Sequence, residues 1–526
     1  MSASEQNEKS FEVNERLASS SPSTSDANRD DASKLSTDEV DAAWSFLNEH
    51  RDAPGVDQVN LKSLRTRIDF RIVPLMFLCY TMQFLDKVIY NYAAIMGIKK
   101  DLDLTGNRFS NVATFLSVGL LCFEIPNIYL LQRVPAAKWL GICVTLWGVA
   151  TASGAAAHNY PSILASRIFL GIFEATIAPS LALISSQWYT KTEQAPRFAF
   201  WYLGLGFGQI VGGVVSWGFQ HVAPGAGLAG WRIMFVALGC LTVVIGLSVI
   251  AFIPDTPMQA KWMTVTEKVA LLKHVSVNQT GIRSNRFRLK ELIEGLLDIQ
   301  IWLQILITVL FSVSSGVITT YSVMLIGQIT HDPKKTPAQN SQHAALMNTP
   351  SGAVSTFFIL MIGYGVRKNA HRWMWILACI IPAIIGGALM SFLPKTNHTG
   401  LLAGIYLVNA VVAPMPMQYN WLMANVAGAT KRAYAVAMIS AAFSIGNIIG
   451  PQTFQARDAP DYRPAKLALV FTQAASALVT IVAFLHYVWA NKRRASNARQ
   501  TEDQYMDKET WARMTDKENP TFRYEY

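Results

Sequence analysis

The sequence predicts an all-α membrane protein of twelve transmembrane helices arranged as two six-helix halves. Three observations predict it. Of 526 residues, 51% are hydrophobic and only 15% charged, where soluble domains carry about 25% charged residues. The apolar residues gather into runs of roughly 20 to 25, the length of a helix that crosses a bilayer. A charged stretch at 254–300 divides those runs six and six.

The first six spans are read at 72–95, 109–131, 138–156, 162–185, 198–219 and 231–253. The second six are read at 301–326, 344–365, 373–393, 401–424, 434–454 and 467–489. Helices are the one open-chain solution in lipid, because every backbone group must be bonded within the chain. Residues 1–66 form a polar tail rich in Ser, Asp and Glu. It lacks the charged-then-apolar pattern of a cleaved signal peptide and reads as disordered, with a short surface helix closing near 45–50. The halves then cover 67–253 and 301–490, joined by the central loop 254–300. A second tail covers 491–526.

Orientation follows from lysine and arginine in the loops. With the amino terminus in the cytoplasm, the inner flanks hold Arg65, Arg67, Arg71, Arg133, Lys138, Lys191, Arg197, Arg367, Lys368, Arg372, Lys431, Arg432 and 492–494. The central loop adds Lys261, Lys268, Lys273, Arg283, Arg286, Arg288 and Lys290. That is roughly twice the outer total by the same rule, so both termini are expected inside. The net charge of +10 reads as this topological bias and not as a nucleic-acid surface. Asn397-His398-Thr399 is a glycosylation sequon in an expected outer loop. Asn278-Gln279-Thr280 is another, on the side glycosylation does not reach.

Internal repeats support the division. Arg133 to Trp139 and Arg367 to Trp373 both read basic, four residues, basic, tryptophan. Gly208-Gln209-Ile210-Val211-Gly212 matches Gly446-Asn447-Ile448-Ile449-Gly450, and Arg197 matches Arg432. One offset, about 235 residues, relates all three pairs. Duplicated six-helix halves are a transporter architecture with the ligand bound between them.

Chemistry must lie in the few polar residues within spans, since an ionisable group at mid-membrane costs about 2.5–3.5 kcal/mol and is rarely left unpaired. In the first span Tyr80, Gln83, Lys87 and Asn91 fall three and four residues apart, on one helical face. That stripe is expected to face a wet cavity, with Asp86 at its edge. In the fourth span Arg167 and Glu174 are seven residues apart and share a face, about 10 Å apart along the axis. Glu124 sits just before Pro126 and either titrates or bonds backbone groups freed by the proline. Gln209 and Asn447 occupy matching places and reach either a ligand or neighbouring helices. Asn420, with Gln418 and Tyr419, is a further cavity candidate. Cys79, Cys122, Cys143, Cys240 and Cys379 all fall in spans without metal-ligand spacing, and no disulfide, metal or cofactor is expected. The histidines form no catalytic arrangement, which argues against an intramembrane enzyme.

Several motifs in order carry a family resemblance. They are Arg67-Ile68-Asp69 with Arg71 and Pro74, Phe84-Leu85-Asp86-Lys87 with Asn91, and Phe123-Glu124-Ile125-Pro126-Asn127. Then come 167–175 (RIFLGIFEA), Trp188-Tyr189, Gly230-Trp231-Arg232 and 425–432 (NVAGATKR). From Leu64 to Trp489 the chain resembles the major facilitator superfamily, and within it the anion:cation symporters of the fungal allantoate-permease type. Three positions depart from the family pattern. Gln132 stands where an aspartate usually precedes Arg133, Gln209 where drug antiporters carry proline, and Lys87 where the first span often carries arginine.

The resemblance implies a major facilitator fold in which Arg167 holds the substrate anion. It implies that Glu174 takes part in proton coupling; Asp86 and Glu124, acids within the first and second spans, are the other groups able to carry the proton. Lys87, Tyr80, Gln83, Asn91, Gln209, Asn420 and Asn447 are the further substrate-binding candidates. The expected activity is symport of a small organic anion with a proton by a plasma-membrane monomer. The alternative is export of a secondary metabolite or toxin. A transport-dead nutrient sensor fits less well, because it would not need the buried acids.

Overall fold

The computed structural model describes residues 46–50, 54–222, 227–276, 288–368, 371–458, 461–498, 515–519 and 522–526. The expected polar tail through residue 45 and the sequon at Asn278 therefore lie outside the described residues. Among the described residues all regular structure is helical, and 46–49 forms one short turn of helix.

Six helices build the first half: α1 (Leu61–Ile95), α2 (Arg108–Arg133), α3 (Ala136–Gly154), α4 (Tyr160–Glu174 continuing as Ile177–Trp188), α5 (Lys191–Tyr202 continuing as Gly204–Phe219) and α6 (Gly230–Phe252). The second half has α7 (Ile299–Ile329), α8 (Pro337–Met347 and Thr349–Lys368), α9 (Arg372–Phe392), α10 (His398–Val408 and Pro414–Asn425), α11 (Ala429–Gln452) and α12 (Arg463–Ala498). Two short helices, Val265–Ser276 and Leu289–Leu296, occupy the described parts of the connection between halves.

Eleven of the twelve are long and apolar enough to cross a membrane. The twelfth, α3, has 19 residues, and its Lys138 and many Gly, Ala, Ser and Thr dilute its hydropathy. Those small residues have a use. A Cβ on Gly148 would stand 2.7 Å from the Val243 nitrogen, and one on Gly239 2.6 Å from the Ala152 nitrogen. The backbones of α3 and α6 thus touch, which small residues permit in lipid where no hydrophobic force drives helices together.

The helix bounds differ from the apolar runs in physical ways. α1 starts at Leu61 because Asn60 accepts bonds from the Lys62 and Ser63 amides, and because buried Leu64, Ile68 and Ile72 continue one face. α10 is interrupted by a 3-10 turn, Asn409–Val412, just before Pro414, which has no N–H to continue the helix.

The sequence repeat appears as equivalent packing. α5 lies on α1, where a Cβ on Gly208 would be 2.8 Å from the Thr81 carbonyl oxygen. α11 lies on α7, where Cβ atoms on Gly446 and Gly450 would be 2.7 and 2.5 Å from the Val309 and Val313 oxygens. The halves meet along two seams. At the α5–α8 seam Gly206 faces Gly352, each so close that an added Cβ would fall within 3 Å of the other's oxygen. At the α2–α11 seam the contacts are polar: Gln452 donates to Asn111 (3.0 Å) and Thr114 (2.8 Å).

Candidate substrate cavity between the halves

A small cavity lies between the halves, where transporters built from two repeated halves bind their ligand. Lys87 and Tyr90 of α1, Ser117 of α2 and Arg167 of α4 line one side. Thr319 and Thr320 of α7 and Phe443, Ser444 and Asn447 of α11 line the other.

The charged groups all come from the first half. Arg167 is 2% exposed and sits over the Tyr90 and Phe235 rings at 4.8 and 5.2 Å. Its Nη1 donates to the Asp86 carbonyl oxygen at 3.1 Å. Its Nε and Nη2 have no hydrogen-bond partner among the described residues. Those two N–H groups form the edge of a guanidinium that grips a carboxylate side-on. Arg197 uses the same edge elsewhere in this chain, with two 2.6 Å bonds to Asp69.

Glu174, on the same face of α4 as Arg167, does not pair with it. Its Oε1 takes Lys87 Nζ at 2.7 Å and Gln83 Nε2 at 3.0 Å. Asp86 turns the other way and accepts from Thr151 of α3 at 3.0 Å. Close approach of α2 sets this geometry: a Cβ on Gly171, between Arg167 and Glu174, would lie 2.1 Å from the Leu116 oxygen. Buried Arg167, Asp86 and Glu174 thus gather with half-buried Lys87, and isolated charges there would cost far more than paired ones.

Other expected residues go elsewhere. Asn91 was expected in the cavity stripe, but it is fully buried and donates to Ser322 of α7 at 3.0 Å. One helical face over eleven residues cannot all meet the same cavity when a second helix crosses it. Tyr80 packs at the other end of the stripe with Trp201 and Tyr202, and the Tyr202 hydroxyl donates to the Val412 oxygen at 3.0 Å across the halves. Gln209 is buried and donates to Asn409 at 3.0 Å, so its bonds tie helices and leave the cavity. Asn447 lines the cavity, while its Nδ2 bonds its own helix at Phe443. Asn420 is exposed and accepts from Arg372; it points away from the cavity because its face of the half-helix meets α9. Glu124 is partly buried, and Ser440 of α11 lies within bonding reach of it and of Tyr419. Asn397 is exposed and caps the start of α10 by accepting from the Gly400 amide.

Sequence reasoning missed Thr151, Phe235 and Ser444. The Ser444 hydroxyl is buried and has no hydrogen-bond partner among the described residues. Thr151 carries a weak signal, as a lone hydroxyl at mid-span of α3.

Toward the face opposite the termini, the halves are closed by uncharged contacts. Tyr90 stacks on Phe109 (4.5 Å), Phe109 meets Tyr321 (5.7 Å), and Tyr321 stacks on Phe454 (4.3 Å). Ser110 and Tyr321 share a 2.5 Å hydrogen bond. Toward the terminal face the described ion pairs stay within a half or its flanking segments, as in Arg197 with Asp69 and Lys431 with Asp298.

A twelve-helix bundle of two repeated halves around a central charged cavity is the architecture of a secondary transporter. The family profile "Major Facilitator Superfamily" matches residues 76–451, and the chain belongs to that superfamily of membrane transporters. A "Thiamine pathway transporter" of Saccharomyces cerevisiae is 34% identical over 94% of this chain and 91% of its own length. The "Allantoate permease" of the same yeast is 28% identical over 93% and 90%. An "MFS-type transporter" of Penicillium expansum is 30% identical over 92% and 93%. In structure, the D-xylose–proton symporter matches with a TM-score of 0.59 at 16% identity, over 78% of this chain and 97% of its own. The nucleoside transporter NupG gives 0.55 at 12%, over 78% and 98%. At those identities the likeness is one of fold. The allantoate permease among the relatives agrees with the family branch read from the motifs.

Proposed function

We propose that the chain is a secondary active carrier that moves a small organic carboxylate together with a proton, by alternating access of the cavity to the two faces. One observation carries the reading: a buried arginine at the cavity keeps its side-on Nε/Nη2 edge unbonded, inside a cluster of two bases and two acids. The cluster is balanced without substrate. A carboxylate on Arg167 adds one negative charge, and a proton on Glu174 or Asp86 restores the balance. Glu174 is the better placed, because protonating it frees Lys87 to join Arg167 on the anion. The physics of import points the same way. A monoanion entering a cell that is negative inside by 100 mV pays about 2.3 kcal/mol, and one accompanying proton removes that term.

The positive-inside bias of the loops supports cytoplasmic termini, with the plasma membrane as the site of action of a monomer. Asn397 then lies outside, where its sequon can be glycosylated. The neutral wall of Ser444, Thr319, Thr320 and Asn447 suits an uncharged, hydrogen-bonding far end of the substrate.

The test is uptake of a panel of labelled small carboxylates, with thiamine as a cation control, in cells lacking their own carriers at two external pH values. Accumulation of one carboxylate, faster at the lower pH and abolished by a protonophore, is the expected result. Uptake of the cation alone, or carboxylate uptake indifferent to pH and protonophore, would overturn it.

A further inference from the structure

The second tail does not simply leave the bundle after α12. Residues 515–519 and 522–526 return to the terminal face of the second half and are bonded there. Asp516 is fully buried. Its Oδ1 takes Lys431 Nζ at 2.6 Å and the Ala427 amide at 3.3 Å. Its Oδ2 takes Gln300 Nε2 at 2.9 Å and the Tyr524 hydroxyl at 3.0 Å. Lys431 is itself fully buried and also pairs with Asp298 (2.6 Å) and Glu294 (2.9 Å). Those three carboxylates lie close enough together to hold a cation, and the Lys431 ammonium is that cation. One of its three anions is supplied by the tail.

Two asparagines grip the tail backbone. Asn491 of α12 accepts from the Tyr524 amide and donates to the Tyr524 carbonyl oxygen, both at 2.9 Å. Asn425 of α10 accepts from the Glu525 amide at 2.7 Å and donates to the Glu525 oxygen at 2.9 Å. Trp421 Nε1 donates to the same oxygen at 3.1 Å. The Glu525 carboxylate pairs with Arg372 of α9. Arg494 donates to the carbonyl oxygens of Asp516 (2.7 Å) and Phe522 (2.8 Å). The segment therefore spans α7, α9, α10, α11 and α12, and each described bond of it outside the tail goes to the second half or the short helix leading into it.

We propose that this face is a built peptide-docking surface whose occupant is the chain's own residues 515–519 and 522–526, and that the docked residues restrain the Pro414–Asn425 part of α10. Pro414–Asn425 hangs below the 3-10 break at Asn409–Val412, so it has a hinge at one end. The tail holds the other end through Trp421 and Asn425. Tyr419, on the same half-helix, meets Ser440 of α11, which also faces Glu124 on the terminal side of the cavity. Releasing the tail frees the half-helix to swing and opens the cavity toward the terminal face. The docked tail thus biases the carrier toward closure on that side.

The experiment reads access directly and needs no substrate, so its failure is distinct from failure of the transport reading. A single reporter cysteine, Ser444→Cys, is placed in a chain whose five native cysteines are replaced. Reconstituted protein is labelled with a membrane-impermeant maleimide applied to the terminal face. Deleting 515–526 is expected to raise the labelling rate about ten-fold, which corresponds to ~1.4 kcal/mol. A synthetic peptide of that sequence, added in trans, is expected to restore slow labelling. If the deletion protein does not stay monodisperse, the double variant Asn425→Ala with Glu525→Ala loosens α10 alone and is expected to speed labelling in the same direction. Labelling unchanged within two-fold in the deletion or the double variant overturns the proposal, as does fast labelling of the deletion protein that the peptide does not slow.

Discussion

Arg167 and its neighbours show how far single residues can be read from a sequence. Spacing alone puts Arg167 and Glu174 on one face of α4, and composition says that buried charges must pair. The pairing itself was not legible. Glu174 takes Lys87 and Gln83 from α1, while Asp86 takes Thr151 from α3. Partner choice depends on which helices touch, and that is a property of the assembled bundle. The pairing has a consequence for Arg167. With Glu174 occupied by lysine, the side-on edge of the guanidinium stays unbonded. Arg167→Lys keeps the charge and loses the planar fork. It is expected to raise the KM for a carboxylate substrate ten-fold or more, the scale of one charge-assisted bond at ~1.5–3 kcal/mol, at normal expression. Wild-type kinetics would remove Arg167 from the site. Glu174→Gln and Asp86→Asn imitate protonated acids. At least one is expected to keep counterflow exchange and lose accumulation driven by a pH gradient in vesicles. If both still accumulate substrate as the gradient dictates, Glu124 is the next acid to test.

At the scale of elements, the sequence gives helix number well and helix breaks poorly. The apolar runs locate twelve spans, and α3 falls among them although Ala136–Gly154 is not long and apolar enough by itself to count as a membrane span. The breaks in α4 and α5 fall inside apolar runs, and those in α8 and α10 fall at Asn348 and Asn409–Val412, each followed by a proline; hydropathy averaged over a span registers none of these local changes. Glycine is more informative. Gly148 sits where α3 meets the α6 backbone, whereas a Cβ on Gly218 near the end of α5 would meet nothing within 4 Å among the described residues. Gly148→Leu should therefore lower the thermal unfolding midpoint of purified protein by several degrees and reduce yield, as overpacking costs about 1–3 kcal/mol or more. Gly218→Leu should leave the midpoint unchanged. Equal tolerance at both positions would contradict the backbone contact between α3 and α6.

The whole molecule is where the sequence reading was strongest and also where it missed most. The repeat offset announced two equivalent halves, and the structure returns it as α5 on α1 and α11 on α7 through matched glycines. The docked tail was invisible, because it has no apolar periodicity and its partners are scattered along the chain, from Arg494, 22 residues from Asp516, to Gln300, 216 residues from it. Orientation is a whole-molecule property too. Reporter fusions at the carboxyl end and in the loop at Asn397 are expected to read opposite sides of the membrane, the first inside. A cytoplasmic Asn397 would invert the proposed direction of the proton gradient through the site.

The α5–α8 seam has a consequence for the route a substrate takes. Gly206 and Gly352 bring two backbones together with no room for an added methyl group, and acyl chains are far bulkier than that. The bundle therefore has no lateral window at this seam through which a molecule dissolved in the bilayer could slip sideways. For the proposed carboxylate carrier, passage at this level of the seam runs along the membrane normal and not sideways through the helices.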